Sequence, residues 1–199
     1  MSRHDGLASF LAPDSVAARA AAWAAEAHAG KLRDADGASF LLHPLEVGLL
    51  LHQLGCRDAV VAAGILHDAA EKGTATLADV RAAFGQEVGD IVAVLTEDAG
   101  IADYDHRKAA LRAAIASAGD DALDVFAADK LAKAREMRVA AAGDTMAARD
   151  AACKRAHYLA SLDLLERRRP GHPLTDALRF ELATHEQVPA LAWVARAPG

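Results

Sequence analysis

The chain has 199 residues, a formal net charge of −6, abundant alanine and only 5% aromatic residues. That length is enough to bury a full core as one domain. The acidic balance, with no basic cluster beyond Arg167-Arg168-Arg169, argues against a nucleic-acid surface, and no apolar run approaches the roughly 20 residues of a membrane span.

Alanine abundance and the lack of any segment alternating with period two point to close-packed helices, an all-α chain. Residues 1–13 read as an irregular start ending at Pro13. Asp14 or Ser15 can cap a first helix from Val16 to about Ala29, with Gly30 as its terminator. His28 falls in its last turn and reads as an ordinary helix-end histidine. A polar loop over 31–42 turns apolar at Phe40, and its Arg33 is well placed to bind a substrate. His43-Pro44 opens the second helix, with Pro44 suited to the first helical position and Gly55 as the stop.

A central helix is expected from about Asp58 to Glu71, ending at Gly73. Thr76-Leu77-Ala78-Asp79 resembles a capping box and starts a short helix to Phe84-Gly85, followed by another from Glu87 to Leu95. Beyond the acidic loop Thr96-Glu97-Asp98-Ala99-Gly100, helices are expected over about Tyr104 to Ser117 and Ala122 to Ala141. A long helix from about Thr145 to Arg168 and a short one from about Leu174 to Glu186 complete the chain. Arg167-Arg168-Arg169 suits the end of the long helix, whose dipole favours cations. With no repeat or linker, residues 1–199 form one domain with a core of about 16–168. Cys56 and Cys153 make no disulfide pattern and the start carries no signal-peptide pattern, so a soluble cytoplasmic protein is expected.

The chemistry concentrates in Val60-Val61-Ala62-Ala63-Gly64-Ile65-Leu66-His67-Asp68-Ala69-Ala70-Glu71-Lys72. A run this apolar leaves no solvent-facing stripe, so His67 and Asp68 sit at the inner end of a buried helix. An unpaired carboxylate there is very costly, and a metal ion binding both side chains removes the cost. A buried His-Asp pair that only hydrogen-bonds is the alternative. Glu71, at i+4 from His67 and i+3 from Asp68, is expected to edge the same cavity. His43 at a helix start and Asp129 within the apolar Val125-Phe126-Ala127-Ala128 face extend the set. Two histidines and two aspartates suit one divalent ion, Mn²⁺, Fe²⁺, Zn²⁺ or Mg²⁺, with positions left for water or phosphate oxygens.

At these residues the chain resembles the HD superfamily of metal-dependent phosphohydrolases, and within it the RelA/SpoT-type hydrolase domains and small alarmone hydrolases. The resemblance runs over roughly residues 20–160. It rests on His43-Pro44-Leu45, His67-Asp68-Ala69-Ala70-Glu71, Thr76-Leu77, Phe84-Gly85-Gln86-Glu87-Val88, Thr96-Glu97-Asp98 and Ala128-Asp129-Lys130-Leu131. It implies an HD-domain helical bundle in which His43, His67, Asp68 and Asp129 hold one divalent ion, usually manganese. It further implies that Glu71 deprotonates the attacking water, that Arg33 packs on the nucleobase, and that Lys154 and Tyr158 face the substrate. Helical surface residues are the alternative reading of Lys154 and Tyr158.

Two departures from the family pattern concern the phosphate end. Lys72 follows the catalytic glutamate where the family has an acid, and Lys133 stands where it has an asparagine. If the two lysines point inward, they stabilise phosphoryl oxygens and displace part of the water-activating apparatus. The implied substrate is a purine nucleotide carrying an extra phosphate or diphosphate, guanosine tetraphosphate first. The alternatives are an NADPH 2′-phosphatase or other nucleotide phosphatase, and a non-catalytic metal and nucleotide binder. Oligomeric state is left open.

Overall fold

The computed structural model describes residues 10–142 and 148–187; residues 1–9, 143–147 and 188–199, including the expected helix start at Thr145, lie outside them. Among the described residues the chain is helical, with one isolated antiparallel bridge, Leu32 to Ser39, closing the loop before the second helix. The all-α expectation therefore holds. No described helix is long and apolar enough to cross a membrane.

Helix α1 (Val16–Ala27) is capped by Ser15, whose hydroxyl accepts from Ala18 N. The Asp58 carboxylate adds a second, tertiary cap by accepting from Val16 N at 2.7 Å and Ala17 N at 3.2 Å. His28 follows as the C-cap. Its ring is buried against Phe40, with centroids 4.9 Å apart, and burial lowers its pKa to about 4. The imidazole is therefore neutral at ordinary pH.

Helix α2 (Leu42–Leu54) begins slightly before the expected His43-Pro44 boundary. Pro44 is tolerated in the first turn because the N–H it lacks has no intrahelical acceptor there. Helix α3 (Asp58–Leu66) is the central element, with every residue from Val60 to Leu66 buried. It packs against α1, α2, α5 (Leu77–Leu95) and α7 (Asp120–Ala142). The expected single helix to Glu71 is interrupted: His67 and Asp68 form a turn, and one further helical turn, α4 (Ala69–Lys72), follows. Asp68, at φ −93° and ψ −2°, supplies the bend.

Thr76 makes the expected capping box with Asp79. The two helices expected around Gly85 run together as α5 with a kink at that glycine, whose φ of 86° is a conformation open to glycine and costly for most residues. Helices α6 (Tyr104–Ala116), α8 (Ala148–Arg168) and α9 (Pro173–Gln187) complete the fold around α7.

Close approach of α2 and α3 fixes the distance between their two histidines. A Cβ on Gly64 would lie 2.3 Å from Leu51 Cδ1, and one on Gly48 would lie 2.5 Å from Ile65 Cγ1. Leu51 and Ile65 are fully buried and have no room to withdraw. Gly64→Val is expected to lower stability by roughly 1–3 kcal/mol through overpacking. Urea unfolding measures it, and an unchanged midpoint would mean that the two helices separate freely.

Candidate metal centre and nucleotide cavity

His43 from α2, His67 and Asp68 from the end of α3, and Asp129 from α7 converge, each only 1–3% exposed. His43 Nε2 lies 3.3 Å from His67 Nε2 and 3.2 Å from Asp129 Oδ1. His67 Nε2 lies 3.3 Å from that same oxygen. Asp68 Oδ2 stands farther off, 3.7 Å from His43 Nε2 and 3.5 Å from His67 Nε2.

The outer nitrogens of both rings face acceptors. His67 Nδ1 lies 2.7 Å from the Gly64 carbonyl oxygen, and His43 Nδ1 lies 2.9 Å from Glu136 Oε1. With its proton held on Nδ1 by the Gly64 carbonyl, His67 turns its Nε2 lone pair toward the point that His43 Nε2 also faces. Asp129 Oδ1 is buried beside them and accepts no hydrogen bond of directed geometry. Two imidazole nitrogens and a carboxylate oxygen gathered at one buried point form an arrangement suited to a cation. His43, His67 and Asp129 each offer a ligand atom within 4.8 Å of the others, so the cluster can hold one divalent metal. This geometry favours a metal site over a His-Asp pair that only hydrogen-bonds.

Burial alone would push the Asp68 and Asp129 carboxyls up. For Asp68 the charges of Lys133, His67 and Lys72 outweigh it, and for Asp129 those of Lys130 and Lys133 do, so both sit well below the usual carboxylate range. His43 is also buried, yet its Asp129 and Glu136 neighbours raise its pKa.

Glu136 was not anticipated, although its place seven residues after Asp129 on α7 puts it on the same helix face. By orienting His43 it acts as a positioning residue, and Glu136→Gln is expected to weaken metal affinity by about 10–100-fold. Titration of the metal into the wild type and the variant checks this. Equal affinities would reduce Glu136 to a partner of Arg33, 3.7 Å away.

A cavity of about 290 Å³ opens above the cluster, and His43 reaches its lining. Arg33, Lys72, Lys108, Lys130, Lys133 and Lys154 line it against only Asp34 and Glu136. A chain that is acidic overall thus presents a cationic cavity, which suits an anionic ligand. Both departing lysines point inward: Lys72 Nζ donates to Asp68 Oδ2 at 2.8 Å, and Lys133 Nζ lies 2.8 Å from Asp129 Oδ1. Phe40 covers Lys72, with the ammonium 5.6 Å from the ring centre.

Arg33 lines the cavity with its guanidinium held by the Asp36 carboxylate, which raises its pKa. Lys154, half-buried, and Tyr158 also line it. Tyr158 is buried, and burial pushes its hydroxyl pKa up.

Glu71 departs from expectation. It is exposed, does not line this cavity, and its Oε2 accepts from Glu97 N at 3.2 Å. The reason is the turn at His67-Asp68, which brings Lys72 against the aspartate, while Glu71 turns toward the Thr96-Glu97 loop. Lys108, Lys130, Tyr104 and His157 are cavity residues that the sequence reading passed over. Lys130 is fully buried beside Asp129; burial lowers its pKa to about 8, with the Asp129 carboxylate opposing.

Known proteins bear on this arrangement. The chain is 35% identical over 98 residues to a GTP pyrophosphokinase of Myxococcus xanthus, which is 48% of this chain and 13% of that protein. It is 35% identical over 86 residues to a probable guanosine-3′,5′-bis(diphosphate) 3′-pyrophosphohydrolase of Synechocystis sp., 43% of this chain and 11% of that protein. The chain thus spans about an eighth of these relatives' length or less. Among solved structures, a metazoan ortholog of SpoT that hydrolyses ppGpp superposes with a TM-score of 0.76 at 21% identity, over 88% of this chain and 98% of that one. The protein lmo0812 of Listeria monocytogenes EGD-e gives 0.66 at 29% identity, over 73% and 94%. The first of these likenesses speaks for the fold alone. A family model described as an HD domain matches residues 20–171, which contain all four converging side chains and every residue lining the cavity. The chain belongs to the HD domain family.

Proposed function

We propose that this protein is a metal-dependent phosphohydrolase that removes a phosphate or diphosphate from a purine nucleotide. Guanosine tetraphosphate is its first substrate, Mn²⁺ its metal and the cytoplasm its setting. The observation that carries the reading is the convergence of His43 Nε2, His67 Nε2 and Asp129 Oδ1 beneath a cavity walled by cations. Hydrolysis of guanosine-3′,5′-bis(diphosphate), named for the Synechocystis relative, agrees with it.

When bound, the ion acidifies water and offsets negative charge developing on phosphate. The protein's own groups divide the remaining work. Lys72 and Lys133 stand over the two aspartates, where they meet phosphoryl oxygens. Arg33, held flat by Asp36, offers a planar cation for a purine to stack on. Lys154 and Tyr158 form part of the cavity wall.

Glu71 is the proton acceptor in this reading. Glu97 is tied to Arg107 and Lys108, and Glu136 to His43 and Arg33, whereas Glu71 takes part in no ion pair among the described residues. It reaches the reacting centre by giving up its bond from Glu97 N. The test is release of phosphate and pyrophosphate over a nucleotide panel with Mn²⁺ saturating. Pyrophosphate from guanosine tetraphosphate is expected. Phosphate from NADPH instead would replace the substrate, and no release from any nucleotide would leave a binding protein.

A further inference from the structure

His157 on α8 takes no part in the metal cluster, yet it lines the cavity and is only 4% exposed. Its Nδ1 lies 2.6 Å from Arg112 Nη1. A guanidinium can only donate, so Nδ1 is the acceptor and the neutral ring carries its proton on Nε2. Burial, reinforced by the charges of Lys130, Lys108 and Arg112, lowers the ring's pKa to about 2, so it stays neutral. The Nε2 atom is itself buried and has no hydrogen-bond partner. A buried N–H left unpaired costs free energy, and a ligand acceptor removes that cost.

The neighbours define which acceptor fits. Lys108 and Lys130 lie close enough to act on the ring's charge, and Lys154 is one turn earlier on α8; all three line the same cavity. Lys108 and Lys130 are each held by a carboxylate, Glu97 and Asp129 respectively. Lys154 makes no ion pair among the described residues. An oxygen with negative charge spread over several atoms can accept from a neutral N–H and from ammonium groups together.

We propose that His157 Nε2–H is a specificity-determining donor to a phosphoryl oxygen of the ligand, locked in that tautomer by Arg112. The role rests on the phosphohydrolase reading for its substrate, but it is a binding role and can be measured without turnover. A neutral donor in a cationic wall adds direction: Lys108 and Lys154 attract any anion, whereas the fixed imidazole N–H favours an oxygen at one position.

The experiment is calorimetric binding of inorganic pyrophosphate and of GDP to the full chain stripped of metal, for wild type, His157→Phe and His157→Gln. His157→Phe keeps the ring and removes the donor, and His157→Gln keeps an N–H. Loss of a hydrogen bond to a charged group is expected to weaken binding by about tenfold or more in His157→Phe, with His157→Gln within about threefold of wild type. On the wild type, the ¹⁵N and ¹H resonances of His157 Nε2–H are expected to shift on pyrophosphate addition, a change that needs no variant. Equal binding by His157→Phe overturns the proposal, as does an equal loss in both variants or a resonance that does not move. If pyrophosphate binds as expected but guanosine tetraphosphate is not hydrolysed, the substrate reading fails and the role of His157 stands.

Discussion

Asp129→Asn and His67→Ala are each expected to lose the metal and with it at least about 10³-fold in turnover. Asp129 Oδ1 is the oxygen nearest both imidazole Nε2 atoms, at 3.2 and 3.3 Å. The asparagine has nearly the same shape but no charge to offer a cation. A bound divalent ion supplies several kcal/mol of charge stabilisation, and each 1.36 kcal/mol is tenfold in rate. Asparagine is preferable to alanine because its carbonyl oxygen can still accept from Lys130 and Lys133, whereas deleting the side chain would leave the buried Lys130 ammonium facing a void. His67→Ala tests the same site from another helix without touching those lysines. Metal content after purification and Mn²⁺ reconstitution is the measurement. Wild-type stoichiometry in both variants would remove the ion from this cluster.

The part of this site legible in sequence was the part written in local pattern. The unbroken apolar run Val60–Leu66 could only be a buried helix, and a histidine and an aspartate at its end had to find partners inside the protein. Asp129 stood out for the same reason on α7, and Thr76 with Asp79 announced its helix start through a spacing that the capping box requires. What depended on the angle of a side chain around its helix was not legible. Period alone placed Glu71 and Lys72 within one turn of Asp68, and only the turn at His67-Asp68 decides that Lys72 meets the aspartate. Residues brought in from distant elements were also hidden. Arg112 and His157 lie 45 positions apart, and neither sits in a conspicuous local context. The Asp58 cap on α1 likewise needs the packing of α3 against α1 before it exists. Glu136 lay between these cases, readable as a helical neighbour of Asp129 but with nothing in its own surroundings to mark it.

Glu71→Gln is expected to keep the metal and to slow hydrolysis by about 10²-fold, the scale of a positioned general base. The amide keeps the side chain's shape and can still accept from Glu97 N through its carbonyl oxygen, so the Thr96-Glu97 loop should stay in place. It cannot take a proton from water. The variant therefore separates the loop contact that Glu71 makes from the proton acceptance proposed for it. Steady-state kinetics on guanosine tetraphosphate with Mn²⁺ saturating give the rate, and metal analysis on the same preparations gives the stoichiometry. A fall in kcat with KM and metal content unchanged assigns the proton to Glu71. Full activity assigns Glu71 to the loop alone, and the acceptor must then be sought among the cavity carboxylates. Of those, Glu136 already orients His43 and Asp34 is the one without an ion pair among the described residues. Asp34→Asn, measured beside Glu71→Gln, makes that choice within one series.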